Sequence, residues 1–340
     1  MPLRDDLARR KMLGILAGSW IAQGCYALAR LRIADAIGDG VVGVDEIAAS
    51  TGTHPVALLR LLRALALAGL LQQPEPGRFA LTPASNLLRE DVDGSVYLNA
   101  LMQGDEVYRS FAEITHTLRT GEPAFAKVFG MPFYDYLDIN PEAAHTFHSS
   151  MGAQQIPAGL AACDLTGVRT LVDVGGGNGA LLADVLADHP TMLGVLAELP
   201  EAVAIARPRL EAVADRVSYA EGSFFDAVPA GGDVYVLCRV LHNWRDDAAA
   251  AILRRVRASM APGARLIVLE EFLPEGGAAA NGAAASGAGI VDLLMLVTLE
   301  GRDRTEGEYR ALVAAAGFVV TDDRRAGAGD VTGVLEAVAP

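Results

Sequence analysis

Cysteine is scarce: Cys25, Cys163 and Cys238 are the only three in 340 residues, and no two form a Cys-x-x-Cys pair. This excludes a disulfide framework or a cysteine zinc site and suits a reducing, cytoplasmic setting. Positive charge is also short, with 28 Lys and Arg against 42 Asp and Glu, a formal net charge of −14. Without a Lys/Arg run the chain is poorly built to hold a phosphate backbone, so no nucleic-acid partner is expected. There is no Gly-x-x-x-x-Gly-Lys-[Ser/Thr] loop, which argues against a nucleoside triphosphate. His54, His116, His145, His148 and His189 have no acidic partner at a metal-ligand spacing, and no metal is expected. Apolar runs near the ~20 residues that span a bilayer are missing except at one place. There Arg9-Arg10-Lys11 precedes an apolar stretch over 12–29, in the manner of a signal peptide. Asp5, Asp6 and Gln23 interrupt that pattern, and helical spacing continues through Leu31, Ile33, Ala34 and Ile37. A soluble amphipathic helix is the better reading, with no membrane partner.

What is present is an ordinary globular balance of 51% hydrophobic and 21% charged residues. At about 150 residues per domain, the length suggests about two domains. The pattern divides at 1–92, 93–162 and 163–340. The first helix is too apolar for a solvated arm and must bury against the rest of the chain or a second copy. From 44 to 88 the order is helix, a turn at Thr51-Gly52-Thr53 with Thr53 as N-cap, a leucine-rich helix ending at Gly69, a Pro/Gly turn over 72–77 and a strand over 78–82 as a β-wing. That is a winged-helix arrangement. Helices interrupted by Gly104, Gly121-Glu122-Pro123 and Asn140-Pro141 run to about Ala162. From Thr170 short β-rich runs at 170–174, 192–197, 216–220, 233–237, 264–269, 318–321 and 333–338 alternate with helices. These imply an α/β fold with a mostly parallel, doubly wound sheet. The Gly/Ala-rich stretch 276–289 reads as a surface loop.

The strongest local signal is Leu171-Val172-Asp173-Val174-Gly175-Gly176-Gly177-Asn178-Gly179, a buried strand running into a glycine turn and then a helix. Glycines there let a ligand approach the backbone closely. Glu198 ends the next strand, where a carboxylate can bond both hydroxyls of a ribose. Gly175-x-Gly177-x-x-Ala180 also fits the dinucleotide pattern, so the turn alone leaves NAD and S-adenosylmethionine both open. Glu221-Gly222-Ser223-Phe224-Phe225-Asp226 closes the third strand, where a polar group and an aromatic face suit an adenine. His242 lies beyond the fourth strand, at the sheet edge where ligands bind.

Taken together these residues resemble the S-adenosylmethionine-dependent small-molecule O-methyltransferases. That family includes caffeic-acid-type and acetylserotonin methyltransferases and bacterial enzymes tailoring aromatic antibiotics. The marks are Arg119-Thr120-Gly121-Glu122-Pro123-Ala124-Phe125, Phe147 to Met151, the glycine turn, and Glu198-Leu199-Pro200. Further on come Gly222-Ser223-Phe224-Phe225, Leu241-His242-Asn243-Trp244 and Gly301-Arg302-Asp303-Arg304-Thr305. The resemblance implies a class I Rossmann-like methyltransferase domain after a mainly helical N-terminal dimerisation domain, in an intertwined homodimer. It places the cofactor's methionine end on Gly175 and Gly177, its ribose on Glu198, and its adenine beside Ser223, Phe224 and Cys238. His242 would be the general base, flanked by the acidic Glu270 and Asp303. Phe147, Met151 and Met295 would line the aromatic acceptor's pocket, with Asn243 beside the acceptor where the family usually has Asp. Asp303 stands for a longer Glu, and its reach to His242 is a point for the structure to decide.

The chemistry requires a base, because a phenol of pKa about 10 is barely ionised at pH 7. A positioned imidazole can take the proton as the oxygen attacks, typically for a gain of ~10²–10⁴ in rate. Two other readings compete. One is a DNA-binding regulator using the winged helix, but Arg60, Arg63, Arg78 and Arg89 are outweighed by Asp45, Glu46, Glu75, Glu90 and Asp91. The other is an NAD-dependent oxidoreductase, which the glycine turn by itself permits. Pocket shape is expected to depend on loops at 131–138 and 294–300.

Overall fold

The change of period at Thr170 marks a change of architecture, and the computed structural model describes it over residues 2–152, 160, 163–275, 283–321 and 332–340. Two compact units result, Met1–Arg109 and Ser110–Pro340.

In the first unit α1 (Pro2–Arg30) is followed by α2 (Ile33–Ile37). The single continuous helix expected from sequence is broken at Arg32, whose φ of 57° is left-handed. Leu28 and Ile33 stay buried on either side of that break. Next come β1 (Val42–Gly43), α3 (Val44–Thr51) and α4 (Pro55–Leu67). Gly52, at φ 66°, caps α3 in a conformation that a Cβ disfavours. Thr53 is not the N-cap of α4: His54 holds that position, and the Thr53 hydroxyl pairs with that of Thr51 at 2.9 Å. Leu58, Leu62 and Leu65, at helical spacing, turn inward from α4. β2 (Leu71–Glu75) and β3 (Arg78–Leu81) form the hairpin, and β1 joins it in the antiparallel order β1-β3-β2. The helix–turn–helix order and the strand at 78–81 are as expected, but residues 72–75 of the expected Pro/Gly turn belong to β2, the partner strand that completes the hairpin. Asp6–Arg30 of α1 is long and apolar enough to cross a membrane by length and composition, with only 17% of its most apolar window buried.

The second unit opens with short helices over 111–152 and continues into the large sheet. Its strands are β4 (Thr170–Val174), β5 (Leu193–Glu198), β6 (Val217–Glu221), β7 (Val234–Cys238), β8 (Arg265–Leu273), β9 (Arg304–Thr305), β10 (Val319–Thr321) and β11 (Thr332–Val338). The order is β10-β11-β8-β7-β4-β5-β6, with β9 paired to the end of β8. β4 to β9 pair in parallel, while β11 and β10 close one edge antiparallel. Strand residues alternate between two buried layers. Val172, Val174, Tyr235, Leu237 and Val268 join one apolar cluster, and Leu171, Val236, Ile267 and Leu269 join the other. Burial on both faces is why these strands read as nearly continuous apolar runs.

The chain leaves β4 toward β5 and β6, then returns to the other side for β7 and β8. The sheet thus has its switch point at β4, and the carboxyl ends beside it are where an α/β sheet opens to ligands. Three expected loops are wholly or partly helical: Phe133–Ile139 covers most of 131–138, and Ala283–Thr298 covers the first part of 294–300 and the last part of 276–289. Alanine tolerates a helix as well as a loop, and the apolar face Val291, Leu294 and Met295 gives this one something to bury. Residues 276–282 of the expected surface loop lie outside the described residues.

Candidate active site

β4 ends at Val174, and the chain turns through Gly175, Gly177 and Gly179 at φ 70°, 56° and 74°. A Cβ on Gly175 would lie 2.9 Å from Val240 and 3.4 Å from Phe224, so this glycine is packed under its neighbours. A Cβ on Gly177 would meet nothing within 4 Å, leaving that position open to a ligand. Glu198, at the end of β5, accepts the Gly177 N–H at 2.9 Å and the Leu199 N–H at 2.7 Å. Its burial raises the carboxyl's pKa while those amides pull it back. Asp173 is fully buried, and neither carboxyl oxygen has a protein hydrogen-bond partner. Burial and then the nearby Glu198 charge push it up to about 7. Cys238, ending β7, is a neutral thiol pushed up to about 12 by burial and by Asp173. Ser223 accepts the Phe225 N–H at 3.2 Å, which leaves its hydroxyl hydrogen free to donate elsewhere.

His242 sits 8% exposed in the short 3-10 turn Leu241–Asn243 after β7. Its Nδ1 is 3.1 Å from Asp303 Oδ1 and 3.9 Å from Glu270 Oε2. The shorter Asp303 side chain therefore reaches the ring. Glu270, fully buried on β8 next to β7, spends its other oxygen on the turn's backbone. Its Oε1 accepts from the N–H of Val240 at 3.1 Å, Leu241 at 2.7 Å and His242 at 3.4 Å. Burial opposes a charge on His242, but Glu270 and Asp303 outweigh it and the imidazole pKa is raised. Asn243, expected beside the acceptor, donates its amide to Arg239 O at 3.2 Å and so braces the same turn.

Two of the expected acceptor-side residues, Phe147 and Met295, belong to one aromatic cluster. Phe147 meets Phe133 edge-on at 5.0 Å, and Met295 is buried in the same cluster. Met151 stands one helical turn after Phe147, on the same face. Tyr134 stacks on Trp244 at 5.3 Å and 12°, and Trp244 meets Phe225 edge-on at 4.8 Å and Phe224 at 6.1 Å. Rings thus run without a gap from Phe147 to Phe224, joining the acceptor-side group to the adenine-side group. Among the described residues no group of three His, Cys, Asp or Glu could hold a metal ion.

Sequence reasoning missed the parts that hold this arrangement together. Asp173 drew no attention as a buried carboxyl, although an Asp inside an apolar strand is itself a signal. Tyr134 was hidden in a segment read as a loop. Gly301 and Arg304 appeared only as members of a motif. A Cβ on Gly301 would fall 1.9 Å from His242 O. Arg304 is 1% exposed and bonds the backbone beside His242. Nothing local in the sequence reveals either contact.

A doubly wound sheet with a glycine turn, a buried carboxylate ending the next strand and a buried imidazole beside its switch point is the kind of site at which α/β proteins bind nucleoside cofactors. The comparisons specify it. Residues 111–319 match the O-methyltransferase domain family, and residues 13–91 match the O-methyltransferase dimerisation domain. The chain is 41% identical to O-demethylpuromycin-O-methyltransferase of Streptomyces alboniger over 92% of its own length and 85% of that protein's. The solved mitomycin 7-O-methyltransferase superposes at a TM-score of 0.91 with 33% identity, covering 100% of each chain. An O-methyltransferase from neocarzinostatin biosynthesis, solved with S-adenosylmethionine and 2-hydroxy-5-methyl naphthoic acid, gives 0.81 at 31% identity over 94% of this chain and 96% of that one. The chain belongs to the O-methyltransferase family and is an S-adenosylmethionine-dependent enzyme.

The residues present fit that cofactor. Two buried carboxyl groups, one with no partner for either oxygen, flank the glycine turn. Buried carboxyl groups in that position favour a ligand that carries positive charge.

Proposed function

We propose that this enzyme methylates a phenolic hydroxyl of an aromatic secondary-metabolite intermediate, with His242 as general base. The observation that carries the reading is the 3.1 Å contact between His242 Nδ1 and Asp303. With Nδ1–H donating to that carboxylate, the lone pair resides on Nε2, the nitrogen left for an incoming hydroxyl. Asp303 then stabilises the imidazolium, while Glu270 holds the turn that carries it. Gly175, Gly177, Glu198, Ser223, Phe224 and Cys238 would hold the cofactor. S-adenosylmethionine supplies, when bound, a methyl group on a positively charged sulfur that leaves as a neutral thioether. The protein's share is alignment, exclusion of water by the wall from Phe147 to Phe224, and removal of the acceptor's proton. Phe147, Met151 and Met295 would receive the flat acceptor, with Asn243 shaping the turn beside it.

Calorimetric titration tests the cofactor assignment: S-adenosylhomocysteine is expected to bind and NADH is not. Methyl transfer to a panel of phenols, followed by mass spectrometry, tests the reaction. Tight NADH binding without methylation of any phenol would return the chain to the oxidoreductase reading.

We further propose that the enzyme is a homodimer paired through α1. Leu13, Ile15, Leu16 and Trp20 are 50–75% exposed on that helix. Burying such side chains contributes about 1.5–3 kcal/mol each. Removing the residues before Ile33 is expected to yield a monomer by sedimentation, with poorer solubility. A truncated chain that remains dimeric would rule out α1 as the pairing element.

A further inference from the structure

Arg304 has no place in the proton transfer, yet it is one of the most deeply buried side chains in the protein, 1% exposed. Its guanidinium donates to Leu241 O at 3.0 Å and Trp244 O at 2.8 Å, the two carbonyls that bracket His242 and Asn243. A third contact, to Asp246 Oδ1 at 2.9 Å, ties it to the first turn of the helix Asp246–Ser259 that follows. A fourth reaches back to Arg302 O at 3.2 Å, in its own strand segment.

The turn is therefore gripped from both sides. Glu270 Oε1 takes the N–H groups of Val240, Leu241 and His242, and Arg304 takes the C=O groups of Leu241 and Trp244. The two grips stand on neighbouring strands, Glu270 on β8 and Arg304 on β9, which pair with Phe272 opposite Arg304. β9 also carries the chain directly on from Asp303, the residue bonded to the imidazole. A rigid ladder thus fixes the acid, the backbone under the base, and the distance between them.

We propose that Arg304 is a positioning residue for His242, acting through the backbone of residues 241–244 and thereby holding the imidazole on Asp303. A planar fork with five donors spread over three nitrogens serves three carbonyls and a carboxylate at once, a span that the three donors on the single nitrogen of an ammonium do not cover. The inference rests on the reading of His242 as the base, and it concerns geometry rather than charge.

The decisive variant is Arg304→Lys, which keeps the charge and removes the fork. Two readouts are taken on the full-length enzyme: kcat against KM for the acceptor, and the His242 imidazole titration by NMR. The groups facing that ring are Asp303 and Glu270, with Arg239 on its own turn and Asp292 bonded to the Asp303 N–H from the neighbouring helix. A loosened turn lets the ring leave the two carboxylates, so its titration is expected to move down. Loss of cationic charge alone would move it up, and a purely structural role would not move it. In parallel kcat is expected to fall about 10- to 100-fold, with KM little changed, as for a misplacement of about 1 Å. S-adenosylhomocysteine affinity should stay near wild type.

Asp246→Asn guards against misfolding of Arg304→Lys, since Asp246 is 58% exposed and its loss slackens the same fork. It should move both readouts in the same direction by less. An unchanged imidazole titration in both folded variants overturns the proposal. That failure is distinct from failure of the base assignment, which would show as an active His242→Asn enzyme whatever Arg304 does.

Discussion

His242→Asn is expected to lower kcat by about 10²–10⁴ while leaving S-adenosylhomocysteine affinity nearly unchanged. The side chain is of similar bulk, but its amide cannot accept a proton at neutral pH. The backbone N–H that Glu270 receives from residue 242 remains, so the turn itself should persist. Wild-type kcat should also depend on pH in a definite direction. Burial disfavours the imidazolium, yet the two carboxylates dominate and hold the pKa above the usual 6.5. A base works only when unprotonated, so activity should rise with pH through that elevated value, and this acid limb should be missing in His242→Asn. Steady-state rates across pH, on protein whose cofactor binding has been checked, make the test. A variant with near-wild-type turnover removes His242 as the proton acceptor.

The second large effect is expected from a single added methyl group. Gly301→Ala would place a Cβ 1.9 Å from His242 O, 2.4 Å from the carbonyl carbon of Asn243 and 2.7 Å from its Cα. All three are backbone atoms and cannot rotate aside. Either the His242 turn or the 301–304 segment must move, and that segment carries both Asp303 and Arg304. Overpacking of this kind costs about 1–3 kcal/mol of stability. A shift of the acid relative to the base should lower kcat by roughly 10²-fold. Gly289→Ala is a matched control, because a Cβ there meets nothing within 4 Å and its helix should gain stability from alanine. Thermal melts and kcat for both variants decide the matter. Wild-type kcat in Gly301→Ala would mean that the 301–304 segment does not set the position of His242.

The misreadings share a cause. The break at Arg32 goes against a helical pattern that continues on both sides, and Leu28 before it and Ile33, Ala34 and Ile37 after it all join one core. The stretch 283–289 looks like a linker by composition, yet it begins a helix whose later turns, at Val291, Leu294 and Met295, are anchored in the aromatic cluster. Thr53 is a better capping residue than His54 by type, but its hydroxyl pairs with Thr51 instead. In each case a non-local contact or a competing partner outweighed a local preference of about 1 kcal/mol or less.

Within the chain alone, short-range patterning determined seven strands of the sheet to within a few residues, the glycine turn at 175–179, and the positions of Glu198 and His242 near strand ends. Those features depend on residues a few positions apart, where period and turn chemistry are legible. β8 runs on to Leu273, past Glu270 where it was expected to end, and β9 was not foreseen. Which carboxylate meets the imidazole, which one secures its backbone, and why residue 301 has no side chain were decided only by tertiary structure. Asp303 lies 61 positions from His242, and the ladder of β8 and β9 is what brings their segments together. Contacts across such separations are fixed by packing and register, for which no local stretch of residues carries a signal.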